Sequence, residues 1–411
     1  MTDTQPSTLG EQPAAPPVSS PIGEIFRVAL RLGLTSFGGP TAHLGYFREE
    51  YVVRRRWLDE RSYADLVALC QFLPGPASSQ VGIGIGTLRG GLLGGLAAWL
   101  GFTLPSAILL VAFAFGVARF AIADSGWLHG LEIAAVAVVA QAVWGMARQF
   151  CTDRRRATIA VVAATVALLV PHALGQLGVI AGAGAIGWRV LATEGTPPVP
   201  PSRARVDRRF AVACLALFFA LLAGLPLLRL IAPGGGMALL DSFYRAGALV
   251  FGGGHVVLPL LQTATVAPGW LTDAQFVAGY GATQAVPGPL FTFAAYLGAA
   301  RSPGPNGVLG AALAIGAIFL PSFLLIWGAL PFWEGLRAHP GFGRALRGIN
   351  AAVVGLLLAA LYTPVWISAI VAPRDFALAL AAFGLLTIGK LPPWLVVALA
   401  ALGGAASAAL G

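Results

Sequence analysis

Charge is scarce in this chain. Of 411 residues only 10% are Asp, Glu, Lys or Arg, against about 25% in a typical soluble domain. That shortage argues against a water-facing globular surface. Cysteine is scarce as well. Cys70, Cys151 and Cys214 lie far apart without metal-ligand spacing, so neither a disulfide framework nor a metal centre is expected, and nothing else calls for a cofactor. Residues 1–20 are rich in Pro, Ser, Thr and Gln but lack an apolar core and a basic start. They read as a disordered tail and not as a signal peptide. The run Gly82-x-Gly84-x-Gly86 has no strand context and is not a nucleotide loop. An intramembrane enzyme would need a catalytic set; Ser78, Ser79 and His43 could be forced into one, but no nucleophile–base spacing supports it.

What the chain has in quantity is apolar sequence. Hydrophobic residues make up 57%, mean hydropathy is +0.80, and apolar runs of membrane-crossing length recur throughout. The fold class is an all-α polytopic membrane protein whose partner is the lipid bilayer. The 53 glycines suit close helix packing in lipid. The net charge of +9 comes from arginines scattered in short loops, which are topology signals and not a nucleic-acid surface.

The sequence contains one pattern twice. Gln71-Phe72-Leu73-Pro74-Gly75-Pro76 matches Gln284-Ala285-Val286-Pro287-Gly288-Pro289, and Trp57-Leu58 matches Trp270-Leu271 at the same offset. Upstream, Arg31 to Gly39 and Arg245 to Gly253 both read R-x-G-x-x-x-F-G-G; downstream, Leu104-Pro105-Ser106 matches Leu320-Pro321-Ser322, and Gly130 matches Gly348. The anchors keep their order, so duplication is the best explanation. Four units follow: a tail at 1–20, a first repeat at 21–193, a basic Pro-rich linker with one extra apolar span (Phe210 to Ile231) at 194–237, and a second repeat at 238–411. Each repeat holds about six helical elements, which makes about thirteen in all.

Loop charge assigns orientation. The loop Arg48–Arg61 holds five arginines and its partner Gln262–Ala274 none; the loop 148–156 holds four, and its partner near 363–374 only Arg374. The bias reverses between the halves, which predicts two repeats of inverted topology with the C-terminus outside. The extra span supplies the one crossing that inverts the second copy.

Proline removes a backbone donor, and in lipid the freed groups survive only inside protein or beside a watery cavity. Matching breaks in two inverted halves point to a substrate site. New helices should start after each Pro-Gly-Pro, at Ala77-Ser78-Ser79-Gln80 and Leu290-Phe291-Thr292, and a helix start offers free amides and a positive dipole end to an anion. The expected substrate-binding residues are Arg31, Phe37, Gly38, Gly39, His43, Gln71, Pro74, Gly75, Pro76, Ser78 and Gln80 in the first half. In the second they are Arg245, Phe251, Gly252, Gly253, His255, Gln284, Pro287, Gly288, Pro289 and Thr292. Arg31 and Arg245 are repeated membrane cations, while no acid is repeated, since Glu50 aligns with Thr263; the balance favours a negative substrate. The alternative readings are glycines that only pack, prolines that only kink, arginines that snorkel to the interface, and histidines that only hydrogen-bond.

Ser36-Phe37-Gly38-Gly39-Pro40 with His43, the two Pro-Gly-Pro segments, Gly101-Phe102-Thr103-Leu104-Pro105-Ser106, and Phe251-Gly252-Gly253-Gly254-His255 together resemble the chromate ion transporter (CHR) family in its long two-domain form, over residues 24–411. The resemblance implies an inner-membrane efflux carrier that exports chromate and confers chromate resistance. A carrier of the same fold for another tetrahedral oxyanion such as sulfate stays open, as do the coupled ion and the oligomeric state, a homodimer being one assembly to consider.

Overall fold

The computed structural model describes residues 21–36, 39–120, 126–170, 173–192, 206–250, 257–333 and 340–410. The expected tail, most of the Pro-rich linker, and Phe37, Gly38, Phe251, Gly252, Gly253 and His255 lie outside the described residues. All elements described are helical: α1 (Pro21–Thr35), α2 (Gly39–Phe47, continued as a π-helix over Arg48–Arg54), α3 (Glu60–Phe72), α4 (Ala77–Phe120), α5 (Gly126–Phe150), α6 (Arg154–Leu169), α7 (Ala173–Val190) and α8 (Arg208–Ile231). Then follow α9 (Gly235–Leu249), α10 (Val257–Thr265), α11 (Asp273–Ala285), a 3-10 turn (Leu290–Thr292), α12 (Phe293–Ala300), α13 (Gly307–Ala329), α14 (Pro340–Ala360), α15 (Pro373–Thr387) and α16 (Pro393–Leu410). Among the described residues, five helices are long and apolar enough to cross a membrane: Ala77–Gly116, His129–Phe150, Arg208–Ile231, Gly307–Phe332 and Gly343–Thr363.

Several elements are too short to cross and turn back instead. The 13 residues of α3 span about 20 Å, well under a hydrocarbon core of about 30 Å. Asp59 caps the start of α3 by accepting from the Ser62 amide. At the other end Leu73 is extended (φ −73°, ψ 146°), as a residue before proline prefers. The chain reverses at Pro74-Gly75-Pro76 and α4 begins. Leu66 and Gly84, each nine residues from Gly75, then face one another, so a side chain at Gly84 would meet Leu66 at 2.7 Å. α3 and residues 77–89 therefore form a helical hairpin with Gly75 at its tip.

The second Pro-Gly-Pro repeats this construction. Thr272 and Gln275 make a capping box at the start of α11, and Val286 is extended (φ −99°, ψ 146°). Tyr296 on α12 bonds back to the Gln275 carbonyl at 2.9 Å and closes against Gly279. α1 and α2 form a third hairpin, held at its open end by Arg55–Glu24 at 2.9 Å. α9 and α10 pack as the fourth.

Long helices then carry the chain past the tips. α4 kinks at Gly90-Gly91, and residues 92–120 return alongside the hairpin they have just left. α13 does the same after α12. These two long limbs run in opposite senses: Trp327 near the end of α13 donates to Thr87 at the open end of the first hairpins (3.0 Å). Phe115 near the end of α4 lies 3.5 Å from where a Cβ on Gly307, at the start of α13, would sit. The two pairs of hairpins thus open toward opposite ends of the molecule and meet tip to tip.

The remaining helices exchange partners. Gly130 on α5 packs against Ala400 and Ala401 of α16, and α15 also lies on α5. Reciprocally, Gly348 on α14 packs against Ala183 and Gly187 of α7, and Gly355 against Ala160 and Ala163 of α6. Each central helix is clasped by the last two helices of the other half.

Candidate functional site

The four hairpins converge on a small set of backbone hydrogen bonds. The amide of Gly75 donates to the Val250 carbonyl at 2.7 Å, and the amide of Gly288 donates to the Ser36 carbonyl at 2.9 Å. Ser36 and Val250 hold matching places in the two sequence motifs, as do Gly75 and Gly288, so each break is tied to the other half. Both glycines are left-handed, with φ of +123° and +104°, a region that glycine occupies without penalty. A Cβ on Gly75 would stand 3.1 Å from Ser322 Oγ, and one on Gly288 would stand 2.8 Å from Ser106 Oγ. The two serines are again a matching pair, each on the long helix opposite the glycine it faces and each one residue after an in-helix proline.

Around these contacts lie polar atoms with no partner. Ser36 Oγ, His43 Nε2, Ser79 Oγ, Gln80 Oε1, Thr103 Oγ1, Gln284 Nε2 and Ser322 Oγ are all buried and unbonded. Each would ordinarily cost roughly 1–3 kcal/mol if left empty. Seven buried polar atoms without a partner thus lie around the tips, where they can bond a polar occupant. Their neighbours are arranged. Gln80 Nε2 donates to the Pro74 carbonyl at 2.7 Å, Thr292 Oγ1 to the Pro289 carbonyl at 2.6 Å, and His43 Nδ1 lies 3.4 Å from Ser78 Oγ, its ring edge-on to Phe102 at 5.3 Å. Two helix starts, at Ala77 and Leu290, open onto the same region and add free amides. Residues 73–80, 102–106, 286–292 and 319–322 contain no Asp, Glu, Lys or Arg, so the donors here are neutral.

Of the residues expected from sequence, the structure brings His43, Pro74, Gly75, Pro76, Ser78, Gln80, Gln284, Pro287, Gly288, Pro289 and Thr292 to the tips. Gly39 starts α2 with φ of 77°. Gln71 faces outward. The two arginines have acidic partners. Arg31 is 59% exposed and 4.0 Å from Glu50. Arg245 binds Asp241 at 2.7 Å, and Arg229 reaches the same carboxylate at 3.3 Å. The alignment of Glu50 with Thr263 shows only that no acid is repeated in both halves. The acids come from unmatched positions, one across a hairpin and one a helical turn before its arginine. Burial alone would push the Glu50 carboxyl up, but hydrogen bonds from Arg55 and Arg54 hold it below the usual carboxylate range.

Sequence reasoning missed Ser36, Thr103, Ser106 and Ser322 as site residues. The signal was present, because Leu-Pro-Ser recurs in both halves, but it served only as an alignment anchor. It also missed a matched pair at the open ends of the hairpins: Arg89 stacks over Trp57 at 4.5 Å and Arg301 over Trp270 at 3.9 Å.

A family profile described as "Chromate transporter" matches residues 23–188 and 237–405. The chromate transport protein of Pseudomonas aeruginosa is 31% identical over 353 residues, covering 83% of this chain and 80% of the relative. That of Cupriavidus metallidurans is 27% identical over 346 residues, covering 80% and 79%. A probable chromate transport protein of Synechococcus elongatus is 27% identical over 337 residues, covering 80% and 81%. No solved structure matches.

Proposed function

The chain belongs to the chromate transporter family, and from that premise we propose that it exports chromate across the bacterial inner membrane and so confers chromate resistance. The substrate is held where the four hairpin tips meet. One observation carries this reading: the reciprocal bonds of Gly75 to Val250 and of Gly288 to Ser36 close the tips around buried, unpartnered hydroxyl and amide groups. A tetrahedral dianion entering there gains hydrogen bonds from Ser36, Ser79, Ser106, Ser322, His43 and Gln284, and the field of two helix starts.

The orientation follows from loop charge. With the Arg48–Arg61 side in the cytoplasm, α1–α2 and the α3 hairpin enter from inside, and α9–α10 and the α11–α12 hairpin enter from outside. An interior-negative potential then drives a dianion outward by roughly 4.6 kcal/mol per 100 mV, twice the value for one charge. Alternating access would loosen one pair of tips at a time.

The test is uptake of labelled chromate into everted membrane vesicles, with and without excess sulfate and a protonophore. Uptake that sulfate leaves untouched supports chromate as the substrate. Abolition by sulfate, with sulfate itself accumulated, would identify a broader oxyanion carrier. Absence of uptake of either anion would reject the reading.

A further inference from the structure

One ionisable cluster lies apart from the tips. His129, Glu132 and Asp375 join α5 to α15: His129 Nδ1 is 3.3 Å from Glu132 Oε2, and His129 Nε2 is 3.2 Å from Asp375 Oδ1. The three differ in how far they reach the protein surface. The Glu132 side chain is 10% exposed and that of Asp375 5%, but that of His129 is 33% exposed. Glu132 sits in a membrane-crossing helix, three residues inside the start of the span His129–Phe150, among Leu131, Ile133 and Ala134 of the core. An ionisable acid in such a span is costly and calls for a functional explanation.

Its surroundings define what it can do. Among the described residues, the titratable groups facing Glu132 are His129 on its own helix, Asp375 through that histidine, and the Tyr296 phenol from α12. The Tyr296 hydroxyl is committed to the Gln275 carbonyl. α16 presents Ala400 and Ala401 to neighbouring Gly130, and α11 presents Gly281 to Leu131. Asp375 is committed too, since it accepts from the Val371 and Ala372 amides at 3.1 and 2.8 Å. Among the described residues, Glu132 has no partner but His129. His129, at the start of the span and one-third exposed, is therefore the route by which a proton can reach Glu132, while Asp375 holds the ring in place. The matching position in the second half is Asn350, which cannot titrate, so the device exists on one side only.

That side is the one away from the arginine-rich loops. α4 begins its long return near Arg89, which is tied to Glu24 and Trp57. It ends at Phe120, and the next helix, α5, begins at Gly126. We propose that Glu132, supplied through His129, binds a proton from the outer side and that this proton moves inward in exchange for the outgoing oxyanion. The proposal rests on the transport reading above. Entry of a proton adds its own downhill gradient to that of the dianion's exit.

The experiment uses the full chain in liposomes loaded with a pH-sensitive dye, in alkaline buffer where chromate is fully deprotonated, with the membrane potential clamped. Two signals are read: exchange of labelled for unlabelled chromate, which needs no net proton, and the change in luminal pH as chromate enters. The wild-type protein should show both, the lumen turning more alkaline as protons leave. Glu132→Gln should keep exchange within about two-fold and lose the pH change. A wild-type protein that exchanges chromate without moving protons overturns this inference and leaves the transport reading intact. So does a Glu132→Gln protein with an unchanged proton signal. Absence of exchange in the wild type overturns the transport reading, and this inference with it. Should Glu132→Gln lose exchange as well, His129→Gln decides. Loss of the proton signal with exchange retained supports the relay. Retention of both, or loss of both, makes the cluster a clamp between α5 and α15 and rejects it.

Discussion

The amide of Gly288 is bonded to the carbonyl of Ser36, 2.9 Å away and in the other half of the chain. Its counterpart, Gly75 to Val250, is 2.7 Å. Neither break can change shape without disturbing the opposite half, so substitutions at the tips should affect transport before they affect insertion.

Gly75→Leu and Gly288→Leu should each abolish transport. A side chain at either site is forced into a left-handed conformation costing on the order of 1–3 kcal/mol, and it would press on Ser322 or Ser106. Chromate uptake normalised to protein in the membrane is the measurement. Normal uptake by a well-expressed Gly75→Leu protein would show that the tip is not where substrate binds.

Ser106→Ala and Ser322→Ala should raise the KM for chromate by about 10-fold or more. A hydrogen bond to a charged group contributes roughly 1.5–3 kcal/mol, and each 1.4 kcal/mol is a factor of ten. The Ser322 hydroxyl is unbonded, whereas that of Ser106 already donates to the Thr103 carbonyl at 3.1 Å. Ser322→Ala should therefore have the larger effect. Uptake kinetics on both variants test the order, and equal, unchanged KM values would remove the serines from the site.

The two repeated arginines should behave differently from each other. Arg245→Gln leaves the buried Asp241 with Arg229 alone. The loss should be smaller than the roughly 3–5 kcal/mol of a fully broken buried pair, yet large enough to lower the unfolding midpoint in detergent. Arg31→Gln removes a largely exposed side chain and should leave that midpoint unchanged. A large rise in KM for both variants, with stability intact, would return the arginines to the substrate.

Reporter fusions after Arg56 and after Pro268 should land on opposite sides of the membrane. Both positions sit at the open ends of hairpins, and those hairpins meet tip to tip. Finding both reporters on one side would contradict the orientation proposed for the two halves.

Much of this was legible in the sequence because proline and glycine act locally. Pro74-Gly75-Pro76 and Pro287-Gly288-Pro289 announced the breaks, and the new helices begin at Ala77 and Leu290, as read. Low charge and long apolar runs gave the class, and the span after Arg208 is where hydropathy put it. The sequence did not show that the chain reverses at each break. A proline stops a helix, but the direction of exit depends on what the next helix packs against, here Leu66 on Gly84 and Tyr296 on Gly279. Nor did it show the acids beside Arg31 and Arg245, because pairing by alignment finds repeated partners only. Ser322 was visible as a letter in a repeat, but its place opposite Gly75 arises from a contact between residues far apart in the chain.

The exchange of helices between halves imposes a schedule on synthesis. α6 and α7 are made early, but the glycine faces they need, Gly348 and Gly355, belong to α14, which leaves the ribosome more than 150 residues later. Until then the small-residue surface of α7 has only lipid or a chaperone to rest against. The first half cannot be a finished folding unit when it enters the membrane. Its last two helices must stay mobile enough to receive a partner, and truncation before α14 should yield a species that the cell's quality control removes, even though every tip residue of the first half is present.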